Sequence, residues 1–247
     1  MTRGEMMPNG FIFYHGPSEL DGESIVGIAT GLERSSANVK TGGMIQTYIL
    51  RADISPIEAR QTKHDRSICG DCLHADHGTC YVNLIQGPTS VWNTYKRGRY
   101  ANDWYLNYPS QAVRLGTYGD PCAIPFYIWA NLLHLTEHVT GYTHQWKNPR
   151  FSDFKQFCMA SCDNLHEKYE AESLGWRTFT VLPSYESYKL AGSLLCPASA
   201  EAGHKLTCEK CLACGGLSSQ NTSNVHIPVH GLQFKKDRFS NLIQIGE

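Results

Sequence analysis

The chain has 247 residues, with 22 basic and 23 acidic side chains, and is 41% hydrophobic and 11% aromatic. Those aromatics and a net charge of -1 exclude a disordered tail, and the balanced charge gives no basis for strong electrostatic capture of nucleic acid or membrane. Residues 1–25 hold no apolar run of signal-peptide length, and the longest apolar stretch, Cys122 to Leu135, is broken by Pro125, Asn131 and His134. The expectation is a cytoplasmic protein with no membrane partner.

In chain order, Ile25 to Ala29 and Met44 to Leu50 read as strands around the polar turn Ser35 to Gly43, whose Gly42-Gly43 pair marks tight backbone. Ala112 to Tyr118 reads as a strand ending at Gly119-Asp120-Pro121. Pro125 to His138 carries Phe126, Trp129, Leu132, Leu133 and Leu135 at helical spacing, with Gly141 past its end. Val139 to Thr143 is a predicted strand, Phe151 to Phe157 a short helix and Cys158 to Ser161 another strand. Asn164 with Glu167 three residues later is a capping box, and Gly175 is the matching stop. Trp176 to Leu182, Ser193 to Cys196 and Val225 to Val229 complete the strands. Such alternation predicts an α/β fold with a parallel sheet and helical crossovers. Residues 198–223, rich in small residues and Cys, read as a loop held by ligands rather than by a core.

Seven of the ten cysteines fall in two knots. In a reducing compartment disulfides do not persist, and clustered thiols bind metal. The C-terminal knot is Cys196-Pro197, then Cys208, Cys211 and Cys214 at x2, x2 spacing. Three thiolates so spaced grip three corners of a cubane, and a distant Cys followed by Pro supplies the fourth, as in ferredoxin-type sites. The unbroken triplet favours [4Fe-4S] over zinc, the structural alternative. The earlier knot, Cys69, Cys72 and Cys80, is interleaved with His74 and His77. If only its thiols bind, they hold a cubane with one iron open; Cys/His zinc is the alternative.

Gly116, Gly119 and Asp120 lie at a predicted strand end, where parallel α/β folds place their ligand face. An ordinary turn in which Asp120 caps the next segment is the plainer reading. Thr143, His144, Ser161, Asp163 and the last strand's cysteines are further strand-end groups, several of which could converge on one site. Tyr95 to Tyr100 and Phe234 to Phe239 interleave bases with aromatics, a pattern that can contact single-stranded nucleic acid but more often marks a solvated surface.

The order of three-Cys loop, strand ending in Gly-Asp-Pro and further βα units resembles the radical S-adenosylmethionine enzymes, over about Ile68 to Cys214. Asn38-Val39-Lys40-Thr41-Gly42, Tyr118-Gly119-Asp120-Pro121, Thr140 to His144 and the closing triplet look more like a group of phage and bacterial proteins distantly similar to that superfamily. The loop here is C-x2-C-x7-C where the superfamily's usual one is C-x3-C-x2-C, and the turn is Tyr-Gly-Asp-Pro where theirs is Gly-Gly-Glu-Pro. The resemblance implies a partial or irregular parallel (βα) barrel over residues 61–195. Residues 1–60 would be a β-rich segment packed on it, and 196–247 a Cys-rich cluster segment with a C-terminal strand. It also implies one or two [4Fe-4S] clusters: Cys69, Cys72 and Cys80 would ligate the cofactor-binding cluster, and Cys196, Cys208, Cys211 and Cys214 an auxiliary one. Gly119 and Asp120 would meet the methionine end of S-adenosylmethionine. An unidentified substrate and electron donor complete that expectation. The rival is a non-catalytic protein stabilised by zinc or a cluster, with nucleic acid as a candidate partner.

Overall fold

The computed structural model describes residues 8–102, 111–136, 138–183, 190–203 and 205–245. Strands β1 (Gly10–Pro17), β2 (Ser24–Thr30) and β3 (Ile45–Arg51) form an antiparallel meander. Four helices follow: α1 (Pro56–Gln61), α2 (Arg66–Cys69), α3 (Leu73–Asp76) and α4 (Pro88–Lys96). Then come β4 (Val113–Tyr118), α5 (Phe126–Leu133), β5 (Val139–Thr140), β6 (Tyr142–Thr143), β7 (Met159–Cys162) and α6 (Leu165–Ser173). The chain continues with β8 (Thr178–Leu182), β9 (Ser193–Leu195), α7 (Cys208–Cys211), β10 (Asn224–Pro228) and α8 (Gln233–Ile245).

Two five-stranded sheets result, ordered β1-β2-β3-β4-β5 and β6-β7-β8-β10-β9. All pairings from β3 onward are parallel. The sheets meet at residues 139–143, where Gly141 alone separates β5 from β6. A side chain there would strike Cys158 Sγ at 2.9 Å and Leu115 at 3.2 Å. Gly141 therefore breaks a strand rather than ending the preceding helix, which stops earlier, at Leu133. Glu137, within the predicted helix, lies outside the described residues.

All seven residues of β3 are buried, as expected of a strand covered on both faces. Its pairing with β4 slips between Gln46 and Tyr48. The hydroxyl of Thr47 fills the irregularity, accepting from Gly116 N (3.0 Å) and donating to Arg114 O (2.9 Å). Gly116 has φ +58, and a Cβ would lie 2.5 Å from Gly119 O. The bulge thus folds the end of β4 back on itself and sets the Tyr118 to Pro121 turn.

The expected capping box exists in shifted form. Asn164 accepts from Glu167 N at 2.8 Å, while the Glu167 carboxylate reaches Asp163 N, one residue before the cap, also at 2.8 Å. Gly175, at φ +79, follows α6. Of Phe151 to Phe157, expected as a helix, Phe151 to Gln156 lie in a 3-10 segment, Pro149–Gln156, capped by Asn148 and ending at Phe157. The Cys-rich segment is more than a loop: it contains α7, and Ala213 and Cys214 pack with Met159 and Val225 as a small buried cluster. A larger core runs from Phe11 to Trp176. No helix among the described residues is long and apolar enough to cross a membrane.

Candidate functional site

The first knot is carried by two short helical turns. Cys69 ends α2, Cys72 is the N-cap of α3, and Cys80 follows, its N–H donating to His74 O at 3.2 Å. Between the first two, Gly70 takes φ +61, and a Cβ would lie 2.4 Å from Gln145. This loop is fastened to strand ends: Asp120 N donates to Ile68 O at 2.6 Å, and Gln145 Nε2 to Cys69 O at 3.3 Å. Burial pushes the thiols of Cys69, Cys72 and Cys80 up, and Cys72 and Cys80 push Cys69 further. Arg60, ion-paired with Asp65 at 2.5 Å, sets a cation beside Cys69 and Cys80.

The second knot sits against the broken strand. Cys214 O accepts from Gly141 N at 2.9 Å, and Cys196 N donates to His226 O at 2.9 Å. Cys208 N donates to Lys40 O at 2.7 Å, and Glu209 accepts from Gly43 N at 2.9 Å, so the Gly42-Gly43 turn is tight because this knot rests on it. Arg177 binds the loop from beneath, donating to Gly216 O (2.7 Å), Ala213 O (2.8 Å) and Ser223 O. Burial raises Cys196, Cys208 and Cys214, the last to about 12, and neighbouring thiols of the same knot add to each. Within each knot, then, thiols lie close enough to act electrostatically on a neighbour, without three of them forming a compact set. All ten cysteines are free.

Both knots offer a buried donor with nothing to donate to. At the first, the Tyr118 hydroxyl is enclosed without a hydrogen-bond partner and lies beside Cys69 and Cys80. At the second, Arg114 donates from Nη2 to Tyr81 Oη at 3.0 Å, while its enclosed Nε has no acceptor and Cys208 lies beside it. An unsatisfied buried donor costs roughly 1–3 kcal/mol, and a thiolate-bound, electron-rich metal centre is the kind of acceptor both lack. In this respect the residues fit such a centre. Tetrahedral zinc, with Zn–S near 2.3 Å, would draw its thiolates to about 3.8 Å. Among the described residues, the one trio of potential ligand atoms all within 4.8 Å is His74, His144 and Asp163, and neither knot draws three sulfurs that close.

The turn residues assigned to the cofactor lie against the first knot. Asp120 is 7% exposed, and its oxygens accept from Cys122 N (3.0 Å), Thr143 Oγ1 (2.8 Å) and His144 N (2.8 Å). Burial raises its pKa, opposed by these donors and by His144. Three of about four acceptor positions are thus used inside the protein, which is the capping role with two further ties. Gly119, at φ +85, leaves no room for a side chain: a Cβ would lie 2.7 Å from Ile49 Cβ.

Of the strand-end groups that could converge, Thr143 meets Asp120, and His144 and Asp163 meet His74. Ser161 contributes its carbonyl to Trp146 Nε1 at 3.0 Å. His74, one of the two histidines interleaved with the knot, turns to Asp163 (Nε2 to Oδ1, 2.9 Å) and Thr79 (Nδ1 to Oγ1, 2.7 Å). Cys122, Cys158 and Cys162 are core thiols, all 0% exposed. The basic-aromatic runs are partly occupied: Lys96 lies over Trp92 and Tyr95, and Phe239, 0% exposed, stacks on His74. Comparison of the chain with protein-family models, with curated proteins and with solved structures finds no match.

Proposed function

We propose that the protein is an iron-sulfur enzyme of the radical S-adenosylmethionine type, acting on an unidentified substrate. The observation that carries this reading is the fastening of a three-thiol loop to the ends of parallel strands, through Asp120 N to Ile68 O and Gln145 Nε2 to Cys69 O. Six strands, β3, β4, the β5-β6 pair taken as one, β7, β8 and β10, follow one another in space in chain order with parallel pairing. We read them as a partial barrel, with β1 and β2 flanking one edge and β9 the other.

Cys69, Cys72 and Cys80 would hold a [4Fe-4S] cluster with an open iron, and Cys196, Cys208, Cys211 and Cys214 a closed one. When bound, the open cluster would supply the coordination site and the electron for reductive cleavage of the S-adenosylmethionine sulfonium, giving a radical that abstracts hydrogen from substrate. The chain's own work is positional. Asp120 ties the β4 turn to Thr143 and His144, and the same turn's backbone holds the cysteine loop in register. One acceptor position on Asp120 is left for a cofactor ammonium. Arg60 and Arg114 supply cations that balance thiolate charge. Free thiols throughout suit a reducing compartment.

The test is anaerobic isolation followed by reduction with dithionite. Brown protein with iron and sulfide in equal amounts, roughly four or more of each per chain, is expected, and it should release 5′-deoxyadenosine from S-adenosylmethionine. Colourless protein with stoichiometric zinc and no sulfide, after expression with ample iron, would reject the reading. So would a full iron complement with neither binding nor cleavage.

A further inference from the structure

We propose that His74, His144 and Asp163 form a binding site for one divalent transition-metal ion that uses no cysteine ligand. The three residues come from α3, from the residue after β6 and from the residue after β7, and one ligand atom of each lies within 4.8 Å of the others. Two imidazoles and one carboxylate are a donor set for Fe2+, Zn2+ or Mn2+ that leaves positions free on the metal.

The surroundings fix each donor. Thr79 Oγ1 holds His74 Nδ1 at 2.7 Å, which leaves Nε2 for Asp163 and the ion. The His144 backbone is held by Asp120 at 2.8 Å, and the Asp163 backbone by Glu167 at 2.8 Å. The Thr79 bond orients the His74 ring directly, and the two backbone bonds fix where the other side chains start. The Phe239 ring, nearly parallel to His74 at 11° and 5.6 Å, covers one side with apolar surface from α8. His74 and Asp163 side chains are 15% and 8% exposed.

The alternative is a buried His74–Asp163 pair that is complete in itself. It accounts for two of the three residues; the His144 ring packs edge-on against His74 at 5.5 Å, but its Nε2 is enclosed with no hydrogen-bond partner. An ion bound through that nitrogen would give it a partner and take the place of the hydrogen between His74 Nε2 and Asp163 Oδ1; an imidazolium releases that proton to solvent and keeps the one at Nδ1, whereas a neutral ring moves its hydrogen to Nδ1 by exchange with solvent, in both cases donating it to Thr79 Oγ1.

Manganese is the probe, because Mn2+ prefers oxygen and nitrogen donors to thiolates and so reports this site in a chain with ten cysteines. Full-length protein is titrated with Mn2+ and read by pulsed EPR for nitrogen coupling. One bound ion per chain coupled to two imidazole nitrogens is expected. His144→Ala should remove one coupling and weaken binding at least about tenfold, and Thr79→Val, which keeps the shape, should weaken it about tenfold. A His64→Ala variant, at an exposed histidine that contacts Thr62, should bind as the wild type does. Wild type that holds no nitrogen-coupled manganese overturns the site, as does folded His144→Ala that binds like wild type, or loss of the couplings in His64→Ala. Should His144→Ala fail to fold by circular dichroism, the wild-type couplings and Thr79→Val decide.

Discussion

The two cysteine knots are both tied to the rest of the chain, but they differ in thiol number and in how much packing of their own they carry. The first has three cysteines on short helical turns and borrows its rigidity from strand ends, through one backbone and one side-chain hydrogen bond. Its neighbours include polar and ionisable groups: Arg60, Tyr118, His74 and Asp163. The second has four cysteines, a small core of its own, and an arginine binding three of its carbonyls. Ionisable neighbours do not separate the two, since Arg114, Tyr142 and Lys40 stand by the second knot. The difference in number does: three thiolates leave one iron of a cubane without a protein ligand, whereas four occupy every corner, and this is the basis of the open and closed roles proposed.

The largest effect should come from Arg177→Met, which leaves three carbonyls without their donor. We expect a loss of about 4 kcal/mol, read from denaturant midpoints, and loss of the C-terminal share of the iron while the first knot keeps its own. If both shares fall together, the knots are one unit and the contrast fails. Gly119→Ala comes next, since φ +85 and the contact with Ile49 forbid a side chain without backbone movement. It should cost roughly 2–3 kcal/mol and lower iron at the first knot alone.

Asp120→Asn follows, at about 2 kcal/mol. The amide keeps one oxygen for Thr143 and Cys122 but turns a donor toward the His144 N–H. Thermal unfolding should show that loss with the iron count unchanged. Added weakening of S-adenosylmethionine binding, about 30-fold for a lost charge-assisted bond near 2 kcal/mol, would assign the remaining acceptor position to the cofactor. The smallest effect changes sign with loading. Tyr118→Phe removes a hydroxyl that has no partner, so metal-free protein should be unchanged or up to about 1 kcal/mol more stable, and loaded protein less stable by a similar amount. Equal shifts in both states would show that the hydroxyl does not face the metal centre.

Most strands were legible from their β-branched and apolar residues: Ile45–Arg51 is buried at every position, and Thr178–Leu182 alternates buried with half-buried positions. The Asn164 cap and the Gly175 stop are local chemistry and read directly. Strand β1 was missed because Tyr14, His15, Gly16 and Pro17 blur its alternation. Helix α8 was read only as bases among aromatics; Phe239 belongs to the interior, a fact fixed by His74 some 165 residues earlier. The two knots were visible as spacings; among the described residues neither draws three sulfurs within 4.8 Å of one another. The trio of His74, His144 and Asp163 was only half visible, since His144 and Asp163 mark strand ends but nothing local directs His74 toward them. Gly141 was read as a helix stop because the sequence does not show that its neighbours pair with two different sheets.

The most direct test of the central claim, that one knot is open and the other closed, is the EPR spectrum of reduced, iron-loaded protein before and after adding S-adenosylmethionine. The account predicts that the signal of one cluster changes, that the change persists in Cys208→Ser and that it disappears in Cys72→Ser. A spectrum that does not respond, from protein holding iron and sulfide at both knots, would contradict it.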